Sequence, residues 1–190
     1  LKLLQNQVKP IPFETAKEVI ESNLGKKIRD VFLDIDEKPI GTASIGVVYQ
    51  ARLHDGQRVV VKVRRPNIRK LIMTDFQILI FIVAKLEKVS SEIRILGLSR
   101  MISEFFKSTQ SELNFLIEAQ NCERLKKNLE VIDKEKVIAV PKVYREYTTQ
   151  EVLVLEFMDG KPFNEFNSLE TLGMDMVDKL EKSVQMFTHT

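Results

Sequence analysis

A loop of small residues followed by a strand-like run with one lysine has the clearest chemical potential in this sequence. The loop follows the spacing G-x-G-x-x-G-x-V with alanine in the middle glycine position, and its residues are Gly41, Thr42, Ala43, Ser44, Gly46 and Val48. Backbone N–H groups bind phosphate only where bulky side chains do not block the approach, and these residues are small or compact. Lys62 lies downstream in the run Val-Val-Val-Lys-Val. A cation in such an apolar run indicates a compensating carboxylate or phosphate.

Each of these two features has an ordinary alternative. The loop alone also fits a plain β-turn, and Lys62 alone also fits an edge strand on which the lysine points to water. The loop is not a Walker A loop, because Val47 stands where that motif requires lysine. Together, however, such a loop and a lysine on a later strand are the arrangement with which protein kinases bind ATP phosphates. The pair therefore predicts a nucleotide-binding small lobe of the kinase type.

A strand lysine of this kind needs an acidic partner on a helix, and Glu118 is the candidate. A single long helix is predicted over residues 98–129, and within it Asn114, Glu118 and Asn121 fall at i, i+4 and i+7. This spacing predicts one polar face on an otherwise apolar helix. Glu112 would lie on a different side of the same helix. The alternative for either glutamate is an ordinary solvated position.

The remaining elements predict an antiparallel sheet around the loop and the lysine. Strands are predicted over residues 31–35, 47–53, 58–63, 137–140 and 151–158. The sequence His54-Asp55-Gly56-Gln57 is typical of a tight hairpin turn between two of them. Further helices are predicted over residues 1–9, 13–24 and 169–189. Gly25 is well placed to end the second of these in the left-handed conformation.

One further helix has an unusual distribution of apolar residues. It is predicted from Asn67 or Thr74 to about Lys88, and its centre, residues 76–84 (FQILIFIVA), is apolar nearly all round. Such a helix is expected to be buried in the lobe or against a dimer mate. The alternative is a patch that faces an isoprenoid lipid or a membrane surface. The apolar centre is too short to cross a bilayer.

Composition limits the class of protein. The chain has 190 residues, of which 44% are hydrophobic and 29% are charged, as in a globular protein with a sizeable core. Its formal net charge of +2 gives no case for a nucleic-acid partner. A single cysteine, Cys122, excludes an internal disulfide and fits a role in helix packing in a reducing compartment. No metal-ligating residue is predicted.

Several motifs, in order along nearly the whole chain, resemble the UbiB/AarF family of atypical, protein-kinase-like proteins. They are Leu3-Leu4-Gln5-Asn6 with Pro10-Ile11-Pro12, residues 32–39, Ala43-Ser44-Ile45-Gly46, Ala51-Arg52-Leu53, Val61-Lys62-Val63 with Arg65-Pro66, Asp75, Glu112-Leu113-Asn114-Phe115, Glu118-Ala119 with Asn121, Val140-Pro141 with Tyr144, and residues 152–160.

The resemblance implies roles for individual residues. Lys62 would be the nucleotide lysine, Glu118 its helix partner, and residues 41–44 the family's alanine-rich loop. Residues 156–158 would form the hinge that meets adenine, with Glu156 and Met158 as its binding residues. Glu112 would be the first acid of a Glu-x-Asp motif. Two departures stand out: Gly41 and Thr42 replace the usual alanines, and Asn114 replaces the second acid, which removes a charge from any metal or regulatory site there.

The resemblance also implies a function. The parent protein would bind ATP with magnesium and act as a kinase or ATPase in ubiquinone or related isoprenoid-lipid metabolism. It would work at the cytoplasmic face of a bacterial membrane, or in a mitochondrion or plastid. The acid that positions the attacking hydroxyl and the magnesium ligands are expected in a large lobe after residue 160, outside this chain. This chain alone is therefore expected to bind nucleotide weakly or not at all and to be inactive.

The predicted fold class is α+β, a kinase-like small lobe. Residues 1–30 would form an N-terminal helical extension, residues 31–160 the lobe with an inserted helix at 67–90, and residues 161–190 the start of a truncated large lobe. The sequence would then be a fragment. Two rival functions remain open: a small-molecule phosphotransferase of the aminoglycoside-kinase type, and a non-catalytic pseudokinase that holds lipid or a partner.

Overall fold

An antiparallel sheet of five strands forms the centre of the protein. The computed structural model describes residues 11–133 and 137–160, so the predicted helices over residues 1–9 and 169–189 lie outside the described residues. The sheet order is β1–β3–β4–β5, and β2 also pairs with β3. The strands are β1 (Phe32–Ile35), β2 (Gly41–Thr42), β3 (Gly46–Leu53), β4 (Arg58–Arg64) and β5 (Val152–Glu156).

The β3–β4 hairpin forms as its sequence predicts. Both strands are rich in β-branched residues, which pack well on a pleated surface. Gly56 in the turn has a φ of 87°, which a residue without a side chain adopts without strain. The Asp55 carboxylate accepts a hydrogen bond of 3.0 Å from the Gln57 backbone N–H. The register pairs Val48 with Lys62 and Val47 with Val63.

The two faces of the sheet pack against different helices. One face carries Tyr49, Val61 and Val154, which are fully buried together with Ala16 and Ile20 of helix α1 (Phe13–Leu24). Helix α1 ends at Gly25, which is left-handed as predicted. The opposite face carries Lys62 and Leu153, and Leu153 packs against Phe115 and Ala119 of helix α6 (Phe115–Ile132). One side of the sheet is therefore packed mainly with apolar side chains, and the other side carries Lys62 next to α6.

The predicted single helix over residues 98–129 is wrong, because the chain forms two helices there. Helix α5 (Leu98–Glu112) ends before Leu113, and α6 starts after Asn114. The Asn114 side chain accepts a hydrogen bond of 3.1 Å from the Leu116 N–H, so it caps α6 instead of belonging to a helix. The other helices are α2 (Ile28–Val31), α3 (Ile68–Val89) and α4 (Ser91–Leu96), with a 3₁₀ turn at Arg145–Tyr147.

The strand predicted over residues 137–140 is also absent. The Asp133 carboxylate accepts hydrogen bonds from the N–H groups of Val137 at 3.0 Å and Ile138 at 2.8 Å, so this segment is tied to the end of α6. The β5 edge is met instead by Val143, which forms a single bridge to Leu155. A β-branched run predicts extended backbone, but side-chain hydrogen bonds have taken the place of a ladder here.

The apolar centre of α3 is not buried against the described part of the lobe, which is the first of the arrangements predicted for it; burial against a dimer mate and a lipid-facing patch stay predictions. Only Phe76 and Val83 of this helix are buried, whereas Phe81 is 63% exposed and its apolar neighbours are exposed as well. Asn67 occupies the position before the helix. Helix α3 packs against α4 and α5, with the Phe76 ring centroid 5.5 Å from Phe105 and 4.9 Å from Phe106. Helices α3, α4 and α5 thus form an antiparallel helical hairpin, named here the α3–α5 hairpin.

Antiparallel sheet and flanking helices together confirm the predicted mixed α+β fold. Within the described residues, none of the helices is long and apolar enough to span a bilayer.

Candidate functional site

Four residues form a row across the sheet and bring the loop close to the lysine. Gly41 of β2 is opposite Val48 of β3, Val48 is opposite Lys62 of β4, and Lys62 is opposite Leu153 of β5. Directly opposed residues in an antiparallel sheet project from the same face. Neighbouring strands lie about 4.8 Å apart, so Lys62 is separated from the backbone of Gly41 by only roughly 10 Å. The loop and the lysine therefore border one surface.

The loop itself closes as a tight hairpin. Thr42 pairs with Val47, and the Ala43 N–H donates to the Gly46 carbonyl at 2.8 Å, which leaves Ser44 and Ile45 as the two-residue turn. A Cβ atom on Gly46 would lie 2.8 Å from the backbone oxygen of Val63. Real Cβ atoms do not approach oxygen so closely, so this glycine lets the loop lie directly against β4.

Two adjacent arginines where β4 ends hold this arrangement, and no role was predicted for them from the sequence. The Arg65 N–H donates to the Ile45 carbonyl at 2.9 Å, and its Nε donates to the Ala43 carbonyl at 3.0 Å. Arg65 thereby fixes the turn of the loop to the end of β4. Arg64, the last residue of β4, is buried and donates to the Leu113 carbonyl at the α5–α6 joint. The available signal was two adjacent cations at the end of the lysine strand, directly before Pro66.

Lys62 and Glu118 form a two-point ion pair. The Lys62 Nζ lies 3.0 Å from Oε1 and 2.7 Å from Oε2 of Glu118, and 4.8 Å from the centroid of the Phe115 ring. Helix α6 begins at Phe115, so Glu118 stands in its first turn, where the helix dipole favours a negative charge. The side chains are 30% and 43% exposed, and an ion pair this open contributes at most about 1 kcal/mol to stability. Its main effect is to fix the position of the ammonium group.

The predicted polar face that joined Asn114 to Glu118 is wrong. Because Asn114 caps α6, its side chain is turned back to the helix start and does not continue the face of Glu118. Glu112 is the last residue of α5 and is exposed. In residues 11–133 and 137–160, no group of three or more His, Cys, Asp or Glu side chains could hold a metal ion.

The predicted hinge lies beside a different part of α6. Glu156 and Met158 line a cleft of about 510 Å³ together with Leu129 and Lys126 in the second half of that helix. The Glu156 N–H donates to the Lys142 carbonyl, and the Lys142 N–H donates to the Glu156 carboxylate at 3.0 Å. The structure thus brings the loop, Lys62 and Glu118 together, and places Glu156 and Met158 in a neighbouring cleft.

Cys122 lies one turn beyond Glu118 and is expected to react slowly. Its Sγ donates to the Pro141 carbonyl at 3.5 Å, and burial, with the nearby Glu118 carboxylate, raises the pKa of the thiol. Because only the thiolate reacts, alkylation by iodoacetamide at neutral pH should be slower than for a free cysteine peptide, and should accelerate as the pH rises. Glu118→Gln removes one of the charges that raise this pKa, so the variant should be alkylated faster at the same pH. Equal rates for protein, variant and peptide would contradict this.

Comparison with known proteins identifies a family model and relatives that match this chain. The family model described as "ABC1 atypical kinase-like domain" matches residues 3–190. The chain is 38% identical over 188 residues to a "Probable protein kinase UbiB" of Pseudomonas paraeruginosa, and 35% identical over 187 residues to a protein of the same description from Marinobacter nauticus. Each match covers 98% of this chain and 34% of the relative, so the chain spans about a third of the length of these curated relatives.

A solved structure supports the same assignment. The structure titled as the complex of Rv3197 with erythromycin, from Mycobacterium tuberculosis, matches with a TM-score of 0.71 and 25% identity. The match covers 85% of this chain and 40% of that chain. Family model, relatives and solved structure agree across most of the sequence, and the chain belongs to the ABC1 atypical kinase-like domain family.

Proposed function

We propose that this chain is the nucleotide-binding small lobe of an ATP-dependent kinase or ATPase. The observation that carries the proposal is the two-point contact between Lys62 and Glu118, one strand away from the loop of small residues. The ion pair gains little stability at this exposure, but it fixes the ammonium group beside the loop, where a phosphate could contact both. A phosphate group is the anion that the loop and the ammonium would reach together.

Each residue then has a role toward the nucleotide. The backbone N–H groups of the turn around Ser44 would face phosphate oxygens, and Lys62 would bind the α- or β-phosphate while Glu118 holds it in place. The contact of Gly46 with β4 keeps the turn low over the sheet. Glu156 and Met158 would meet the adenine ring through their backbone. Magnesium would enter with the nucleotide, since the described residues hold no cluster of acids for it.

The substrate class of the parent protein belongs to the same proposal. The chain resembles a family linked to ubiquinone and isoprenoid-lipid metabolism, and its curated relatives carry the name UbiB. We therefore place the parent protein in that metabolism, with an isoprenoid-quinone precursor or an associated protein as the phosphate acceptor. ATP hydrolysis or phosphoryl transfer would need the remainder of the parent protein.

Titration of the full-length parent protein with ATP and magnesium tests the nucleotide site. Lys62→Ala should weaken binding by roughly ten- to a hundredfold, because a charge-assisted hydrogen bond to phosphate is worth about 1.5–3 kcal/mol. Lys107→Ala is the matched control, because Lys107 also forms an ion pair, with Glu104 at 3.0 Å, but on the surface of α5. The control should bind as the unaltered protein does. Equal affinities for Lys62→Ala and the unaltered protein would refute the role of Lys62.

A second candidate function is the binding and phosphorylation of a small molecule. It is favoured by the matching solved structure from Mycobacterium tuberculosis, which is a complex with erythromycin. Titration of the same protein with erythromycin, with and without ATP and magnesium, separates the two candidates. Saturable erythromycin binding that strengthens with nucleotide would favour the phosphorylation of a small molecule.

A non-catalytic pseudokinase would bind nucleotide and show neither hydrolysis nor transfer in the full-length protein.

A further inference from the structure

The α3–α5 hairpin has one side that is apolar and exposed. Successive residues of an α-helix are rotated by 100° about the helix axis. The buried residues Phe76 and Val83 mark the side of α3 that faces α5. Six exposed apolar residues fall within one sector next to that side: Leu71, Ile78, Leu79, Ile82, Leu86 and Val89. A sector this wide on a helix of a globular protein normally lies against a core. In this protein the apolar sector of α3 is exposed, and none of the described residues covers it.

The second helix of the hairpin extends the same side. In α5 the exposed apolar residues Met101 and Phe105 are spaced at i and i+4, and the Phe105 ring lies 5.5 Å from Phe76. Because α3 and α5 are antiparallel, the flank of α3 that carries the apolar sector and the flank of α5 that carries Met101 and Phe105 lie on the same side of the helix pair. Ile95 and Leu96 of α4, which are 85% and 64% exposed, add to it at the tip. Together these residues form the surface named here the apolar face of the hairpin.

Positive charge borders the apolar face. Residues 85–100, at the tip, contain four Lys or Arg and two Glu. Both glutamates are bonded within the hairpin: Glu87 accepts from the Ser99 hydroxyl at 2.7 Å, and Glu92 accepts from the Ser90 hydroxyl at 2.6 Å. The Lys85 ammonium lies 5.4 Å from the centroid of the exposed Phe81 ring. An aromatic ring with a lysine above it, beside an apolar sector, is the arrangement that interfacial helices present to a lipid headgroup layer.

We propose that the apolar face of the hairpin docks on a bilayer that carries anionic lipid. The apolar side chains would enter the boundary between headgroups and acyl chains, while Lys85, Lys88, Arg94 and Arg100 would bind lipid phosphates. A second copy of the chain fits the surface less well. A symmetric dimer places the same patch of both copies together, and the cations at the rim would then repel one another. The proposal does not depend on nucleotide binding at Lys62.

Flotation with lipid vesicles tests the proposal on the whole chain. We expect the protein to float with vesicles of phosphatidylcholine and phosphatidylglycerol, to remain behind with phosphatidylcholine alone, and to be released by salt. Val89→Glu combined with Ile95→Glu should abolish flotation. Lys85→Gln combined with Lys88→Gln should weaken it by roughly thirtyfold, since each cation near an anionic surface is worth about a factor of five. Val131→Glu is the matched control, because Val131 is an exposed apolar residue of α6 outside the hairpin, and it should float normally.

Three outcomes would overturn the proposal. Flotation that does not depend on phosphatidylglycerol would contradict the charge argument. If the Val89→Glu and Ile95→Glu variant floated normally but sedimented as a monomer where the unaltered chain is a dimer, the face would belong to a second copy. If that variant floated normally and melted at a markedly lower temperature, another segment of the chain would cover the face.

Discussion

Replacing Arg64 by methionine should reduce the free energy of unfolding by about 3 kcal/mol, the loss expected when one partner of a buried charge network is removed. The Arg64 side chain is only 8% exposed. Its guanidinium donates to the Leu113 carbonyl and the Glu151 carboxylate, and approaches the Gln150 carbonyl at 3.5 Å. Methionine retains most of the volume but donates no hydrogen bond. The Leu113 carbonyl is then left without its donor, at about 1–3 kcal/mol for a buried group, whereas the Gln150 carbonyl still accepts from the Phe115 N–H at 3.2 Å.

Urea unfolding of the variant, followed by circular dichroism, measures this loss. Arg52→Met is the matched control, because Arg52 also stands on the sheet but is 52% exposed and lies 3.4 Å from Asp34. Such a surface pair is worth about 0–1 kcal/mol, so the control should unfold at nearly the original urea concentration. If both variants lost the same stability, burial of the Arg64 contacts would not be what matters.

Gly46→Ala should destabilise the protein by about 2 kcal/mol, the typical cost of overpacking a tight contact. The added Cβ would stand 2.8 Å from the backbone oxygen of Val63, and backbone in the middle of a sheet does not give way as a flexible side chain does. The loop would have to lift from β4 and thereby leave the position that Arg65 fixes. If the loop binds phosphate as proposed, this variant should also bind ATP more weakly.

Gly41→Ala is the control for this substitution. A Cβ on Gly41 would meet only the Val48 side chain, at 3.8 Å, which is an ordinary van der Waals contact. The alanine should therefore change the free energy of unfolding by less than about 1 kcal/mol. Thermal unfolding of both variants makes the comparison. Similar melting temperatures for the two would show that the approach of the loop to β4 is not sterically limited.

Local sequence determined most of the sheet and the central contact of the site. The β-branched runs and the Asp55-Gly56 turn allow one hairpin register, and that register alone places Lys62 opposite Val48. Glu118 was identifiable as an acid within an apolar helix and from the family resemblance. Its contact with Lys62 is present, whereas its common face with Asn114 is not.

The failures have physical reasons. Apolar periodicity continues across Leu113 and Asn114, so it conceals the break between α5 and α6; the better signal was an asparagine directly before an apolar run, which is typical of a helix cap. The apolar centre of α3 predicts that something covers it, but periodicity carries no information on whether the covering group belongs to the same chain. Arg64 and Arg65 act on backbone oxygens far away in sequence, which composition and spacing do not reveal.

The contact between Arg64 and Leu113 closes the α3–α5 hairpin at its base, because Arg64 ends the strand that precedes α3 and Leu113 directly follows α5. The chain therefore leaves the lobe at the start of the α3–α5 hairpin and returns to it at nearly the same point. An insertion that begins and ends at one place can lengthen, shorten or change its surface without altering the register of β4 or the start of α6. The surface of the α3–α5 hairpin can therefore change during evolution while the ion pair between Lys62 and Glu118 stays the same.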